Sequence, residues 1–563
     1  MFDRFKQWRN RLAAGVPDVW PAREVPDDGL DTLSCDLETD VVVIGLGGAG
    51  IAAAIEACDN GADVIALDRF AGGGSTRISG GIYYAGGGTR IQREAGFEDS
   101  PENMLNYLRQ EAGDAVSEAT LQRFCDDSVA NFDWLAHNGV PFEASYCPFK
   151  TSYPSNLYYY YYSGNESFPP YSDVAEPAPR GHRAHGPGVS GAAFFNPLRQ
   201  SLALREVPVL QQHKALRLLR ASSGRVVGVE CAAMRSGSVS GWVHRQLAAL
   251  LVLLRYATIF APFVNYLMRG VIEWLERNHA EPVTIRARRG VIIASGGFYA
   301  NREMVAEHAP TYLSGIPLGT IGDDGSGILL GQSVGGTTGL MDSMSAWRFI
   351  NPPQAFVKGL LVDARGQRVC NEMLYGAQLA ERIMKQADGR AWLVIDRALF
   401  DEALGQIGPK RAMWFQSVGA LMFLYLARRK ASSLAELAGR IGVPAAELAA
   451  SVAAYNQRIA SGQADPLGKP AEFLAQLGTG PWYALDCTVD SLQGCPTLSL
   501  GGLRVDEDSG EVLGEDGVIP GLYAAGRSAV GVASRSYVSG LSIADCVFSG
   551  RRAGQHAASA GGS

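Results

Sequence analysis

The chain has 563 residues, 47% of them hydrophobic, with a formal net charge of −7 at pH 7. That length can bury a large core and implies two domains or more, while the acidic balance offers no basic field to a nucleic acid. Nine cysteines are scattered with no Cys-x-x-Cys pair and no histidine at ligand spacing, so no metal site is expected, and the thiols read as reduced and cytoplasmic.

Residues 1–39 read as an N-terminal arm. Its first twenty residues carry four basic side chains and no long apolar run, so no secretory signal is read. Asp40-Val-Val-Val-Ile-Gly45-Leu-Gly47-Gly48-Ala49-Gly50 then predicts a buried parallel strand, a glycine turn and an alanine-rich helix. A second strand, Asp63 to Asp68, ends in an acid. In that frame Gly45 permits the tight turn, Gly47 lets the backbone approach a pyrophosphate, and Gly50 lets helix pack on strand. Asp68 can accept ribose hydroxyls. This unit predicts dinucleotide binding.

Further along, Gly72-Gly-Gly74-Ser75-Thr76-Arg77-Ile78-Ser79-Gly80-Gly81 suits a backbone lying along an extended cofactor. Helices are expected near Ser100–Glu111 and Ser117–His137, each opened by a capping serine and closed near a glycine. The five tyrosines Tyr158–Tyr162 read as a partly exposed strand or loop, with the lining of an apolar pocket as the alternative. Residues 236–279 form an apolar insertion in which Arg255 and Pro262 interrupt the run too early for a membrane span, which takes about 20 apolar residues. The expectation is peripheral membrane contact, with Trp242, His244, Arg245, Arg255, Tyr266 and Arg269 near the headgroups and a similar arm at Phe2–Leu12; a helical hairpin packed on the protein or on another subunit is the alternative. A second glycine turn follows at Ala294-Ser295-Gly296-Gly297. Ser433 to Asn456 reads as two helices broken at Gly442-Val-Pro444, and a third turn, Gly521 to Arg527, precedes Ser539-Gly540-Leu541-Ser542-Ile543 at the head of a helix. FAD needs groups at its adenosine, pyrophosphate and flavin, so its site gathers loops from both ends of a chain. NAD usually needs one such unit.

The order of these segments, from Asp40 to Gly554, resembles the succinate dehydrogenase/fumarate reductase flavoprotein superfamily and, within it, the flavin-dependent 3-ketosteroid dehydrogenases. The resemblance implies an α/β fold: a Rossmann-like FAD-binding domain of the glutathione-reductase type (residues 40–306 and 483–563) with an inserted α+β catalytic capping domain (307–482). It assigns to FAD the residues Gly45, Gly47, Gly48, Ala49, Gly50, Asp68, Arg69, Gly74, Ser75, Thr76, Ser79, Gly80, Gly81, Ala215, Ala294, Ser295, Gly296, Asp324, Gly526, Arg527, Gly540, Leu541, Ser542 and Ile543. Covalent members attach FAD through a histidine just after the serine-rich loop. No histidine occurs between Met1 and Ala136, so a non-covalent FAD is expected.

For the chemistry, Gly366 to Tyr375 resembles the family segment that delivers a catalytic tyrosine from the cap. Fumarate reductases carry His-Gly-x-Asn-Arg near the flavin segment, because a dicarboxylate needs cationic partners. Here that region reads Ser534-Arg-Ser-Tyr537-Val-Ser539-Gly540. Δ1-Dehydrogenases usually show Tyr-Pro-Gly-x-Gly, whereas Tyr537-x-Ser539 resembles the 3-keto-5α-steroid Δ4-dehydrogenases. That similarity implies Tyr537 on the C3 oxygen, Ser539 removing the C4 proton, Tyr375 relaying it and hydride leaving from C5. An unperturbed tyrosine has a pKa of about 10, so this pair needs carbonyl polarisation to act as a base. Δ1-Dehydrogenation, a fumarate- or enoate-type reductase, and a flavin-bearing electron-relay subunit are the alternatives. A quinone or soluble carrier is the expected electron acceptor.

Overall fold

The computed structural model describes residues 18–27, 34–254, 262–478, 480–491 and 493–560. The basic–aromatic segment Phe2–Leu12, Arg255 and the Tyr266 side chain lie outside the described residues.

In chain order the FAD-domain elements open with strands β1 (Arg23–Val25) and β2 (Leu37–Ile44), helix α1 (Gly48–Asp59) and β3 (Val64–Asp68). Helix α2 (Pro101–Ala112), the short β4 (Tyr160–Tyr161), then β5 (Val209–Gln211), β6 (His213–Ala221) and β7 (Val226–Met234) follow. The insertion supplies α3 (Val239–Leu254) and α4 (Pro262–His279), and β8 (Ala280–Ile293) returns to the sheet. The cap contributes α5 (Gly376–Gln386), α6 (Trp414–Tyr425), α7 (Leu434–Ile441) and α8 (Ala445–Ala460). Strands β9 (Glu511–Gly514) and β10 (Gly517–Ala524) and helix α9 (Leu541–Ser559) complete the FAD domain.

The main sheet runs β1-β6-β7-β8-β2-β3-β5, with β10 on β8 and β9 on β10. Its centre is parallel: Val41 lies opposite Val64, and Val291 opposite both Val42 and Leu522. Val41, Val42 and Val43 are fully buried, as a parallel strand covered on both faces requires. The segment read as an arm is not wholly outside this domain, because β1 pairs with β6 and extends the sheet by one strand. Serines 100 and 117 cap their helices as expected, with hydroxyls accepting from Asn103 and Thr120 amides. The second of these helices, expected to run unbroken to His137, divides at Asp127 into Glu118–Asp126 and Ser128–His137.

In the cap, a four-stranded sheet (Leu360–Val362, Trp392–Ile395, Trp482–Asp486, Arg428–Ala431) packs with α7 and α8, which part at Gly442, φ +70°. A buried ion cluster underlies the segment leading to Tyr375. Glu372 takes Arg368 and Lys469, each at 2.7 Å, and Arg368 also meets Asp465.

The insertion is a helical hairpin locked to the FAD domain. Glu276 of α4 forms a two-point pair with Arg69 (2.7 and 2.8 Å), meets Lys214 at 3.4 Å and faces His244 of α3 at 3.1 Å. Burial alone would raise the Glu276 pKa, but these partners hold it far below the usual carboxylate range. This corrects the expectation for the headgroup-facing side chains. His244 and Arg269 point inward, at 1% and 7% exposure, and Arg245 donates to Gln212 Oε1, whereas Trp242 is 58% exposed. No helix among the described residues is long and apolar enough to cross a membrane.

Removing one partner of a buried ion network strands the others, at a cost of about 3–5 kcal/mol. Glu276→Ala is therefore expected to lower the stability of the holoenzyme by that order in urea unfolding and to expose residues 236–279 to protease. Glu281→Ala, at an exposed site, is expected to move stability by less than about 0.5 kcal/mol.

Candidate functional site

The turn after β2 is built by exclusion of side chains. Gly45 has φ +92°, and a Cβ there would lie 2.7 Å from Ser295 Cα; a Cβ on Gly50 would lie 1.9 Å from the Gly45 carbonyl oxygen. These are the tight turn and the helix–strand contact. Gly47 differs: it has φ −86°, and nothing lies within 4 Å of where its Cβ would be. Gly74 faces it across the same space, where a Cβ would meet only Gly47 Cα at 3.8 Å. Thr76 Oγ1 accepts from the Gly48 amide at 3.0 Å, so the serine-rich loop pins the phosphate turn. Gly526 lies against α1, where a Cβ would be 2.8 Å from Ala49 Cβ, and Ser528 ties the Gly296 turn to it.

Arg527 donates to Asp323 at 2.9 Å, and Ser75 donates to the other Asp323 oxygen at 2.6 Å, while Arg527 Nη1 is buried without a partner. An open glycine-lined groove beside an orphaned buried guanidinium nitrogen fits a pyrophosphate. Ser79 Oγ accepts the Gly81 amide at 3.1 Å, and Gly540, φ +93°, precedes Leu541, Ser542 and Ile543 at the start of α9.

At the adenosine end Asp68 is already engaged. Its oxygens accept the Leu46, Phe70 and Gly72 amides at 2.9, 2.8 and 3.2 Å, which organises the glycine loop and leaves little carboxylate capacity for a ribose. Arg69 and Asp324 pair with each other at 2.9 Å, and Arg69 also holds Glu276. Asp323, which sequence reasoning passed over for its neighbour, is the acid facing Ser75 and Arg527. Ala215 sits on β6, buried opposite Cys231, and the Ala294 amide donates to the Ile44 carbonyl at 2.8 Å.

Tyr375, Tyr537 and Ser539 meet at the boundary of cap and FAD domain. Tyr375 caps α5, Tyr537 and Ser539 lie in the loop before α9, and the two tyrosine rings are 6.4 Å apart. Phe349 packs on Tyr375 and Trp347 on Tyr537, with ring centroids at 5.5 and 5.1 Å. A fourth hydroxyl completes the group: Tyr161 donates to Ser539 Oγ at 3.0 Å. Tyr160 and Tyr161 are fully buried on β4, which corrects the expectation of a partly exposed tyrosine run. Burial raises Tyr375 and Tyr161 well above the ordinary value, against a smaller lowering by Ser539, and pushes Tyr537 up to about 12 against Gly540 and Arg527. All three phenols are therefore protonated donors at neutral pH. One shallow cleft opens beside Tyr375, Phe349 and Lys150, and another beside Tyr537, Ser536 and Arg535.

Behind these hydroxyls lies a carboxylate that the sequence reading missed. Glu111, 2% exposed, accepts from Tyr107 (2.8 Å), Asn165 (2.8 Å) and Gln378 (2.7 Å). Asn165 in turn accepts the Tyr375 amide at 2.7 Å, and Gln378 donates to the Tyr537 carbonyl at 3.1 Å. One acid thus holds the main chain of both tyrosines. Its signal was present: Glu111 follows Met104, Tyr107 and Leu108 along the buried stripe of α2. Burial pushes its pKa up to about 7 despite those three donors.

Fold and site together define a flavoprotein with an inserted cap. Residues 40–542 match the FAD binding domain family. The chain is 37% identical to the 3-oxo-5-alpha-steroid 4-dehydrogenase of Comamonas testosteroni over 91% of its own length and 97% of that protein. It is 27% identical to the 3-oxosteroid 1-dehydrogenase of Mycobacterium tuberculosis, over 89% and 94%. Among solved structures, the 3-ketosteroid Δ4-(5α)-dehydrogenase of Rhodococcus jostii, in complex with 4-androstene-3,17-dione, superposes with a TM-score of 0.80 at 32% identity, covering 96% of this chain and 100% of that one. The chain belongs to the FAD binding domain family and, within it, to the family of the Comamonas enzyme. It is an oxidoreductase whose cofactor is FAD.

Two outcomes follow from this geometry. Because no protein atom opposes a Cβ at Gly47, Gly47→Ala should leave apoprotein thermal unfolding unchanged while weakening FAD binding at least about tenfold, about 1.4 kcal/mol, in a fluorescence titration. Glu111 binds its proton more tightly folded (about 7) than unfolded (4.5), so its contribution to stability falls as pH rises through that interval. Glu111→Gln, which cannot titrate, should flatten the drop in melting temperature between about pH 5 and pH 8.

Proposed function

We propose that the chain dehydrogenates a 3-ketosteroid between C4 and C5, with Tyr537, Ser539 and Tyr375 as its catalytic residues. What supports this reading is the cluster of four neutral hydroxyls, Tyr161, Tyr375, Tyr537 and Ser539, gathered where cap meets FAD domain. A ketone oxygen gaining enolate character needs a donor that stays protonated, and Tyr537, held up at about 12, is one. Ser539 Oγ takes the C4 proton while its own hydroxyl proton passes to Tyr375 and on towards solvent; the C4–H and C5–H bonds break and the C4–C5 double bond forms. FAD, held without a covalent bond by the glycine turns, Ser75, Thr76 and Arg527, supplies the acceptor for the hydride from C5. Tyr161, bonded to the same Ser539 oxygen, keeps that oxygen oriented. A quinone or a soluble carrier takes the electrons afterwards, and the enzyme works in the cytoplasm in peripheral contact with a membrane that holds its apolar substrate.

The test is anaerobic mixing of the holoenzyme with a 5α-3-ketosteroid while flavin absorbance is followed at about 450 nm. Rapid bleaching with a 4-en-3-one product is expected. Bleaching by a 4-en-3-one alone would move the reaction to C1–C2, and no bleaching by either would overturn the steroid assignment. Tyr537→Phe should lower kcat about a hundredfold to a thousandfold, as loss of a donor to a developing oxyanion does. Ser539→Ala should slow bleaching similarly without loss of FAD.

A further inference from the structure

Helix α6 presents an apolar surface to solvent that the fold itself does not cover. From Trp414 to Tyr425 it carries no charged residue. Ala420, Phe423 and Leu424 are buried in the cap, yet the opposite side is apolar too: Trp414, Val418, Leu421 and Tyr425 recur at spacings of four, three and four and are 58%, 46%, 41% and 51% exposed. A helix that is apolar all round is ordinarily covered on all sides.

Its flanks indicate what covers it. Between Gln406 and Ser433 the chain has five basic side chains, Lys410, Arg411, Arg428, Arg429 and Lys430, and no acid, although the whole chain is acidic. Lys410, Arg411, Arg429 and Lys430 are exposed, so cations stand at both ends of the apolar stripe. Trp and Tyr at the two ends of such a stripe, with cations beyond them, match the headgroup boundary of a bilayer. The hairpin α3–α4 is the other exposed apolar surface, but its described charges are spent inward or on ion pairs with acids, Glu276, Glu273 and Asp18.

We propose that α6 and its flanking cations form the surface by which this protein docks on a bilayer bearing anionic headgroups. This deepens the membrane contact proposed above by naming the element that makes it. The position of α6 gives the contact a use. Gln416 donates to Ser152 Oγ and to the Tyr153 carbonyl, both at 3.1 Å, and Met413 packs in one apolar cluster with Tyr153 and Tyr161. Residues Lys150, Thr151 and Ser152 line the cleft beside Tyr375. A substrate leaving the apolar layer at α6 therefore meets the wall of that cleft first.

The experiment is flotation of the holoenzyme with vesicles of phosphatidylcholine, alone or with phosphatidylglycerol. Binding to the mixed vesicles, weaker on the neutral ones and reduced by salt, is expected. Val418→Ser combined with Leu421→Ser should abolish it, and Arg429→Gln with Lys430→Gln should weaken it about fivefold per cation, about 1 kcal/mol each. Both double variants should keep the flavin spectrum and the turnover of detergent-dispersed substrate, which separates lost docking from lost folding. Unchanged binding by both variants, with loss on Trp242→Ser and Val239→Ser, would overturn the assignment to α6 and leave membrane contact with the hairpin. No vesicle binding by the parent would overturn both. A dimer in sedimentation that the α6 serine variant dissolves would show the occupant to be a second copy, and overturn the proposal.

Discussion

The candidate site depends on how closely the first and last helices of the FAD domain approach. A Cβ on Gly550 would stand 2.4 Å from the Ala49 carbonyl oxygen, and one on Gly554 would stand 2.4 Å from that of Ala53. Glycines one turn apart on α9 therefore seat the alanine face of α1 backbone against backbone. The separation of those axes sets where both helices begin. The Gly47–Gly48 turn and α9, from opposite ends of the chain, meet for that reason, with a Cβ on Gly48 lying 3.4 Å from Cys546 Cβ. A larger residue at Gly550 or Gly554 would push α9, and the hydroxyl loop that leads into it, off α1 without touching any hydroxyl of the cluster.

Given that frame, the chemistry of the hydroxyl cluster is set by desolvation. Burial raises every phenol in it, so the cluster offers O–H donors and accepts charge poorly unless a substrate oxygen develops it. A substrate carboxylate among these side chains would lie buried with no hydroxyl able to neutralise it, an expensive arrangement. A ketone carries no such penalty. Glu111 sits one amide removed: Asn165 and Gln378 stand between it and the tyrosines, so it acts on their backbone positions and exchanges no proton with their hydroxyls directly.

What could be read in the sequence was what repeats a local rule. The glycine turn, the capping serines and the helix break at Gly442 all rest on short-range pattern. What escaped required knowing which face of an element points where. Asp323 and Asp324 are adjacent, one turns to Arg527 and the other to Arg69, and nothing local distinguishes them. The tyrosine run read as a partly exposed strand or loop, but β4 pairs with Gly181 and His182 and takes Tyr160 and Tyr161 wholly inside. His244 and Arg269 looked like headgroup ligands because their partners, Glu276 for one and Glu273 with the Ala300 carbonyl for the other, are visible only once α3 and α4 are folded onto the sheet.

The same distinction separates the two apolar surfaces. In the hairpin, exposed Trp242, Leu253, Leu267 and Trp274 share their helices with ionic groups committed to the FAD domain, so its apolar content is partly accounted for by holding Glu276 over Arg69. That carboxylate serves three cationic or imidazole partners at once, and hydrophobic side chains around it keep water from competing. Helix α6 holds no such network. Gln416 and the Gly419 carbonyl tie it inward, and of the cations beside it Arg411 and Lys430 lie over the Phe149 and Tyr483 rings while their side chains stay exposed. Exposed apolar area that organises an interior network can be left over from folding; exposed apolar area that holds no buried charge and is bracketed by exposed cations has no such origin, and that difference is why the docking surface proposed above is placed on α6.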